Sequence, residues 1–164
     1  MPEYPSLAAQ VATYLQQQLR LFRSGERVSQ EMAPITATLG DDDIADLSAY
    51  YAAQSTRPPA SPPQDTPPSG DLYRNGDAAR SIQPCAACHG PEARGDGATM
   101  APALRSMQAP YIRTQLEAYA RRTRYQSAVP DGLPRAGVEA MYDVSAHLTD
   151  DEVRALAQYL QSLP

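Results

Sequence analysis

Cys85-Ala86-Ala87-Cys88-His89 decides how this chain is read. Cys85 and Cys88 are the only two cysteines among 164 residues. Two thiols separated by two residues, with a histidine directly after, have the spacing for covalent attachment of a c-type haem. Both thiols sit on one turn of chain and can add to the two vinyl groups of one porphyrin. His89 then binds the iron from the same side. The stretch therefore predicts the cofactor (one haem c), its two anchors and one axial ligand.

Other readings of the motif fit less well. A thioredoxin-like redox pair wants a βαβ context, and nothing in the chain alternates with strand periodicity. Zinc would have to recruit His147 as a fourth ligand beside Cys85, Cys88 and His89, yet zinc sites usually present a second ligand pair at tight spacing, and His147 stands alone. The remaining reading is two cysteines merely buried in a core.

Composition bounds the rest. The chain has no tryptophan, one phenylalanine and ten tyrosines, so its own core is modest. A buried porphyrin would enlarge that core, as small haem domains require. The formal charge of −5 argues against a nucleic-acid partner and suits docking to basic patches on other proteins. No apolar run approaches a membrane span, which leaves peripheral association as the membrane option. Met1-Pro2-Glu3-Tyr4-Pro5 lacks the basic start and apolar stretch of an export signal. Because c-type haem is attached outside the cytoplasm, the expectation is a processed or truncated chain working in the bacterial periplasm.

A Pro-rich tract over residues 56–70 reads as an extended linker between a first part, 1–55, and a second, 71–164. The two parts resemble each other. Pro5-Ser6-Leu7 matches Pro102-Ala103-Leu104, and Tyr14, Leu15, Gln18 and Leu19 match Tyr111, Ile112, Gln115 and Leu116, all at an offset of 97. Met32, Leu39, Ile44, Leu47 and Tyr50 match Met141, Leu148, Val153, Leu156 and Tyr159 at an offset of 109. The change of offset implies an insertion in the second copy between about Arg124 and Met141. It carries Arg121, Arg122, Arg124 and Arg135 and reads as a solvated loop, with a partner-docking loop as the alternative. Carrying the cysteines back by the same offset places them before Met1, so the first copy lacks a haem-attaching part. A second haem is expected only if an upstream segment is missing from this sequence.

Everything periodic is helical. Leu7, Val11, Tyr14, Leu15, Leu19 and Phe22 predict an amphipathic helix over roughly 5–23, repeated by Ile112, Leu116 and Tyr119. Thr149-Asp150-Asp151-Glu152 is a capping box that opens a terminal helix lined by Val153, Leu156 and Leu160. Gly40-Asp41-Asp42-Asp43 is its counterpart, read as a helix start rather than a metal site. Gly90-Pro91 through Gly97 holds too many breakers for regular structure. The fold class is all-α.

Taken together, Cys85–His89, Gly90-Pro91, Gly95-Asp96-Gly97, Pro102-Ala103-Leu104 and the late Met141 resemble class I c-type cytochromes. The tandem layout resembles the two-haem cytochrome c4 family. The resemblance implies a class I cytochrome c-like haem domain preceded by a partial copy of the same fold that has no CxxCH. It implies thioethers at Cys85 and Cys88, His89 as proximal ligand, the Pro102 carbonyl as acceptor from the His89 ring, and Met141 as distal ligand. Met100 follows His89 too soon to return across the ring, Met107 aligns with Gln10 and suits packing, and His147 adjoins a core position. The family's role would be one-electron transfer without catalysis. Electrons would arrive from a quinol-oxidising complex or a dehydrogenase and leave to a terminal oxidase. The alternatives are a catalytic haem subunit with an open iron position, and a subunit whose first part docks it to a larger redox complex.

Overall fold

Helical periodicity becomes a wholly helical architecture in the computed structural model, which describes residues 3–56 and 67–164. Among those residues the helices are α1 (Ala12–Ser24), α2 (Met32–Thr36), α3 (Asp41–Ala52), α4 (Pro67–Asn75), α5 (Ala86–His89), α6 (Ala109–Ala120), α7 (Arg135–His147) and α8 (Asp150–Ser162). Extended pairing among them is confined to two isolated bridges, Asp77–Ile82 and Asp96–Ala101. The all-α expectation is met. Most of the tract read as a linker, residues 57–66, lies outside the described residues. Its last residues do not extend the linker, because α4 already begins at Pro67, where a proline costs no helical hydrogen bond.

The first helix is shorter than its apolar pattern predicts. Residues 5–11 form a loop, not helix, with Ala9 in the left-handed region at φ 54°. Ser106, 97 residues on, has the same φ of 54°, and α1 and α6 begin at that same offset. The repeat is therefore a repeat of backbone as well as of side chains. α3 and α8 match likewise at their starts. Gly40 N–H donates to Asp43 Oδ2 at 2.8 Å, and Thr149 N–H donates to Glu152 Oε2 at 2.9 Å, while Glu152 N–H returns to Thr149 Oγ1. Asp43 is thus spent on the helix start, and Asp41 pairs with Arg23 at 2.6 Å.

In the first half α1 packs on α2 and α3; in the second, α4 packs on α5 and α8, and α6 on α7 and α8. The larger core lies in the second half, around Leu72, Tyr73, Ile82, Met107, Ile112, Val144, Leu156 and Leu160. A smaller core joins the halves, where Leu21 of α1 packs with Tyr125, Val138 and Tyr142.

Arg80 ties the segment after α4 to α8. It meets Asp77 at 2.7 Å and both Glu152 oxygens at 2.6 and 3.1 Å. That guanidinium, helped by Thr149, holds the Glu152 carboxyl at about 2, against an ordinary 4.5. A depressed folded-state value gives stability that is present above the unfolded value and lost as pH falls through the folded one. Glu152→Gln keeps the capping box, since glutamine serves at that position. It is expected to cost about 1–2 kcal/mol at pH 7, discounted for the partial exposure of the pair, with the difference vanishing between pH 4.5 and 2. Urea unfolding of parent and variant across that window checks it.

Candidate haem site

The motif folds as one short helical turn. His89 N–H donates to Cys85 C=O at 3.0 Å, closing α5 and placing both thiols and the imidazole on the same turn. Cys85 is half-buried against the larger core, and Cys88 is exposed. Tyr73, fully buried on α4, donates its hydroxyl to Gly90 C=O at 2.6 Å and so fixes the chain just after the motif.

His89 is buried, with Nδ1 2.8 Å from the Pro102 carbonyl oxygen. A carbonyl only accepts, so Nδ1 carries the hydrogen and Nε2 is left with a free lone pair. Burial pushes the imidazole below its usual range, more than the Pro102 bond pulls it up, so the ring is neutral. A neutral ring, oriented through its other nitrogen, is the form a metal needs.

The loop after the motif is folded back to bring Pro102 there. Gly95 N–H donates to His89 C=O at 2.9 Å, and Asp96 N–H to Ala101 C=O at 2.9 Å. Gly95 lies at φ 77°, and a Cβ on it would stand 2.5 Å from the Ala101 oxygen and 2.7 Å from the Pro102 carbonyl carbon. No alanine fits without moving the peptide that His89 bonds. Gly95→Ala is expected to destabilise the protein by about 1–3 kcal/mol, readable as a lower denaturation midpoint.

The donor set tests which metal group this turn can hold. Burial pushes the Cys85 thiol up to about 11, so the site resists a thiolate there and accepts a neutral sulfur. A thioether is neutral, whereas thiol–disulfide exchange requires the thiolate. His147 is exposed at the end of α7, with Nδ1 2.7 Å from Asp143 C=O on its own helix. No three His, Cys, Asp or Glu side chains gather into a metal-binding cluster among the described residues. With His147 turned away and no such cluster formed, the zinc reading fails, and the residues present fit a covalently attached haem.

Of the methionines, Met107 is buried in the larger core, as its alignment with Gln10 predicts for a packing residue. Met100 is half-buried in the loop at φ 55°. Met141 is half-buried on α7, the helix before the terminal one. That helix has two buried stripes. Val138 and Tyr142 face Leu21 of the first half, while Val144 packs into the larger core with Leu148 beside it, as Cys85 does. Met141 lies on α7 between these two sets, three residues after Val138 and three before Val144.

The arginines expected in a solvated loop divide. Arg121, Arg122 and Arg135 are exposed, but Arg124 is 6% exposed and sits between the halves. Its Nη2 donates to Tyr14 Oη at 2.8 Å and its Nε to Tyr125 Oη at 3.1 Å, with the guanidinium 4.9 Å from the Tyr119 ring centre. Arg27, 97 residues earlier, mirrors it: Nη2 donates to Tyr111 Oη at 3.0 Å and to Gln115 Oε1 at 3.1 Å, and Phe22 underlies it at 4.5 Å. Each copy thus sends an arginine to the other's matching tyrosine, as in an interface between two identical chains. The basic and polar character of these residues concealed this. A signal was present, since Arg27 and Arg124 keep the repeat offset. Gly95 and Gln10 also went unread as site residues, because their partners are backbone groups that no side-chain pattern reports.

Comparison with known proteins agrees with this geometry. The family model described as cytochrome c matches residues 75–164. Cytochrome c4 of Thiocapsa roseopersicina is 34% identical over 99% of this chain and 80% of its own length. The thiosulfate dehydrogenase electron acceptor of Thiomonas intermedia is also 34% identical, over 98% of this chain and 71% of its own. The crystal structure of reduced cytochrome c4 from Pseudomonas stutzeri superimposes with a TM-score of 0.87 at 27% identity, covering all of this chain and 87% of that one.

Proposed function

Because this chain belongs to the cytochrome c family, in its cytochrome c4 branch, and so carries covalent haem c, we propose that it is a periplasmic one-electron carrier with His89 and Met141 as axial ligands. The observation that carries this reading is the buried His89, one residue beyond Cys88, whose Nδ1 is committed to the Pro102 carbonyl and so leaves Nε2 for the iron.

The bound haem supplies the ferric–ferrous couple. Cys85 and Cys88 hold it as thioethers at two points of one turn. His89 binds from the α5 side, and the Pro102 carbonyl fixes its ring and raises its basicity. Met141, half-buried on α7, would supply the second iron ligand. With both iron ligands supplied by the chain, no position would be left open for substrate, as suits a carrier.

The likeness to a protein named as an electron acceptor of thiosulfate dehydrogenase favours a dehydrogenase over a quinol-oxidising complex as electron donor. A terminal oxidase is the proposed acceptor, met through the acidic surface that the charge of −5 implies. None of the helices among the described residues is long and apolar enough to cross a membrane. The same likeness supports a second reading, a subunit held within a dehydrogenase complex. Division into 1–55, a linker and a haem domain that opens with α4 at Pro67 is proposed, with one haem in the later part.

Carbon monoxide tests the central point. The ferrous holoprotein is expected to leave it unbound at neutral pH, because both axial positions are taken; rapid, complete binding would overturn the carrier reading. A pyridine haemochrome assay beside the intact mass is expected to give one haem for Met1–Pro164.

A further inference from the structure

The interface between the halves holds one side chain that acts on the peptide behind His89. Gln10, in the first half, is 4% exposed. Its Oε1 accepts from Ala103 N–H at 2.7 Å and its Nε2 donates to Ala103 C=O at 2.9 Å, so one amide satisfies both backbone groups of a residue 93 positions away. Val11 N–H donates to the same Oε1 at 2.9 Å, so that oxygen accepts twice and the amide is held in place. At the repeat offset the second copy has Met107, a core residue, so the amide is peculiar to the first copy.

Ala103 N–H and Pro102 C=O are the two ends of one peptide unit. Gln10 Oε1 accepts at one end, and His89 Nδ1 donates at the other, at 2.8 Å. Hydrogen bonds in such a chain polarise one another in a buried, weakly screened setting. Electron density drawn toward the Pro102 oxygen makes it a better acceptor, and the imidazole becomes a more basic ligand.

We infer that Gln10 is a positioning residue for the haem site of the second half: through the Pro102–Ala103 peptide it orients and strengthens the His89 hydrogen bond, and so lowers the reduction potential. This rests on His89 being the iron ligand. It makes the first half a working part of the other half's redox centre.

Gln10→Met, the residue at the matching position of the second copy, tests it in the full-length holoprotein. A less basic His89 favours the ferrous state. The expected result is an approximately threefold lower ferric-to-ferrous ratio at a fixed applied potential, a rise of about 28 mV for one electron. In proton spectra of the ferrous form the His89 Nδ1–H resonance should move upfield as its bond weakens. Thr13→Ala, which removes a different bond between the halves, Thr13 Oγ1 to Gly97 C=O at 3.0 Å, should leave both readouts unchanged. A folded Gln10→Met protein with the parent's potential overturns the inference, as does an equal shift in Thr13→Ala.

If Gln10→Met does not fold, hydrogen exchange in the parent decides: Ala103 N–H and the His89 Nδ1–H should be protected together, and fast exchange at Ala103 overturns the relay. His89 ring protons displaced by the haem ring current in the parent establish ligation separately. Their absence would remove the ligand assignment itself, whatever Gln10 does.

Discussion

Replacing Arg124 with leucine is expected to cost the folded holoprotein about 3 kcal/mol, a large part of the roughly 5–15 kcal/mol that holds a domain together. The substitution keeps most of the volume, so the loss is not a simple cavity. It removes two hydrogen bonds from a charged donor, each worth about 1.5–3 kcal/mol, at Tyr14 and Tyr125. It also removes the charge from above the Tyr119 ring, about 1 kcal/mol more. Against these stands the relief of burying a charge whose other contacts are neutral oxygens and which leaves Nη1 without a partner. Burial opposes the charge, but Tyr119, Tyr14, Tyr125 and Tyr111 hold the guanidinium well above its usual range, so the arginine stays charged throughout. Lysine should not rescue it, because an ammonium cannot present the planar fork that reaches both hydroxyls. Arg122→Leu provides the comparison: that side chain lies over Tyr142 at 4.6 Å but is 62% exposed, and its loss should cost less than 1 kcal/mol. Guanidinium unfolding of the three variants measures the difference. A loss below about 0.5 kcal/mol for Arg124→Leu would show that the crossed arginines contribute nothing net.

Met141→Ala carries the largest expected functional effect. A thioether ligand favours the ferrous state, so its removal should lower the reduction potential by on the order of 0.1 V, within the roughly 0.8 V that axial ligands control. The visible band of Met–ferric ligation should vanish, and carbon monoxide should now bind the ferrous form. The shift is opposite in sign to that expected for Gln10→Met, so the two substitutions probe the two sides of the iron independently. An unchanged potential would move the ligand assignment to Met100, Met107 or His147. Of these, Met107 is the least suited, being buried within the core, and His147 projects into solvent.

Much of this protein is written locally. A haem-attaching turn needs only five consecutive residues, and helix starts such as Thr149–Glu152 need only four, because each is satisfied by its own neighbours along the chain. The all-α class, the cofactor, the terminal helix and the repeat could therefore be read from Cys85–His89, the capping box and two offsets. The start of α1 is not legible in this way: the apolar pattern of Leu7 and Val11 suits a helix, but Ala9 adopts a left-handed backbone, as Ser106 does in the second copy.

What the tertiary structure alone decided concerns partners far apart in sequence. An arginine amid turn residues reads as solvent-facing until the second copy of the fold brings Tyr14 to it from 110 residues away. Likewise a glutamine in a helical pattern gives no sign of a backbone partner 93 residues on, because main-chain groups are the same at every position and leave no mark in the sequence. The haem-attaching turn and the helices need only neighbours along the chain. Which residues lie behind the His89 ring, and that the first half reaches them, followed only from how the two copies pack.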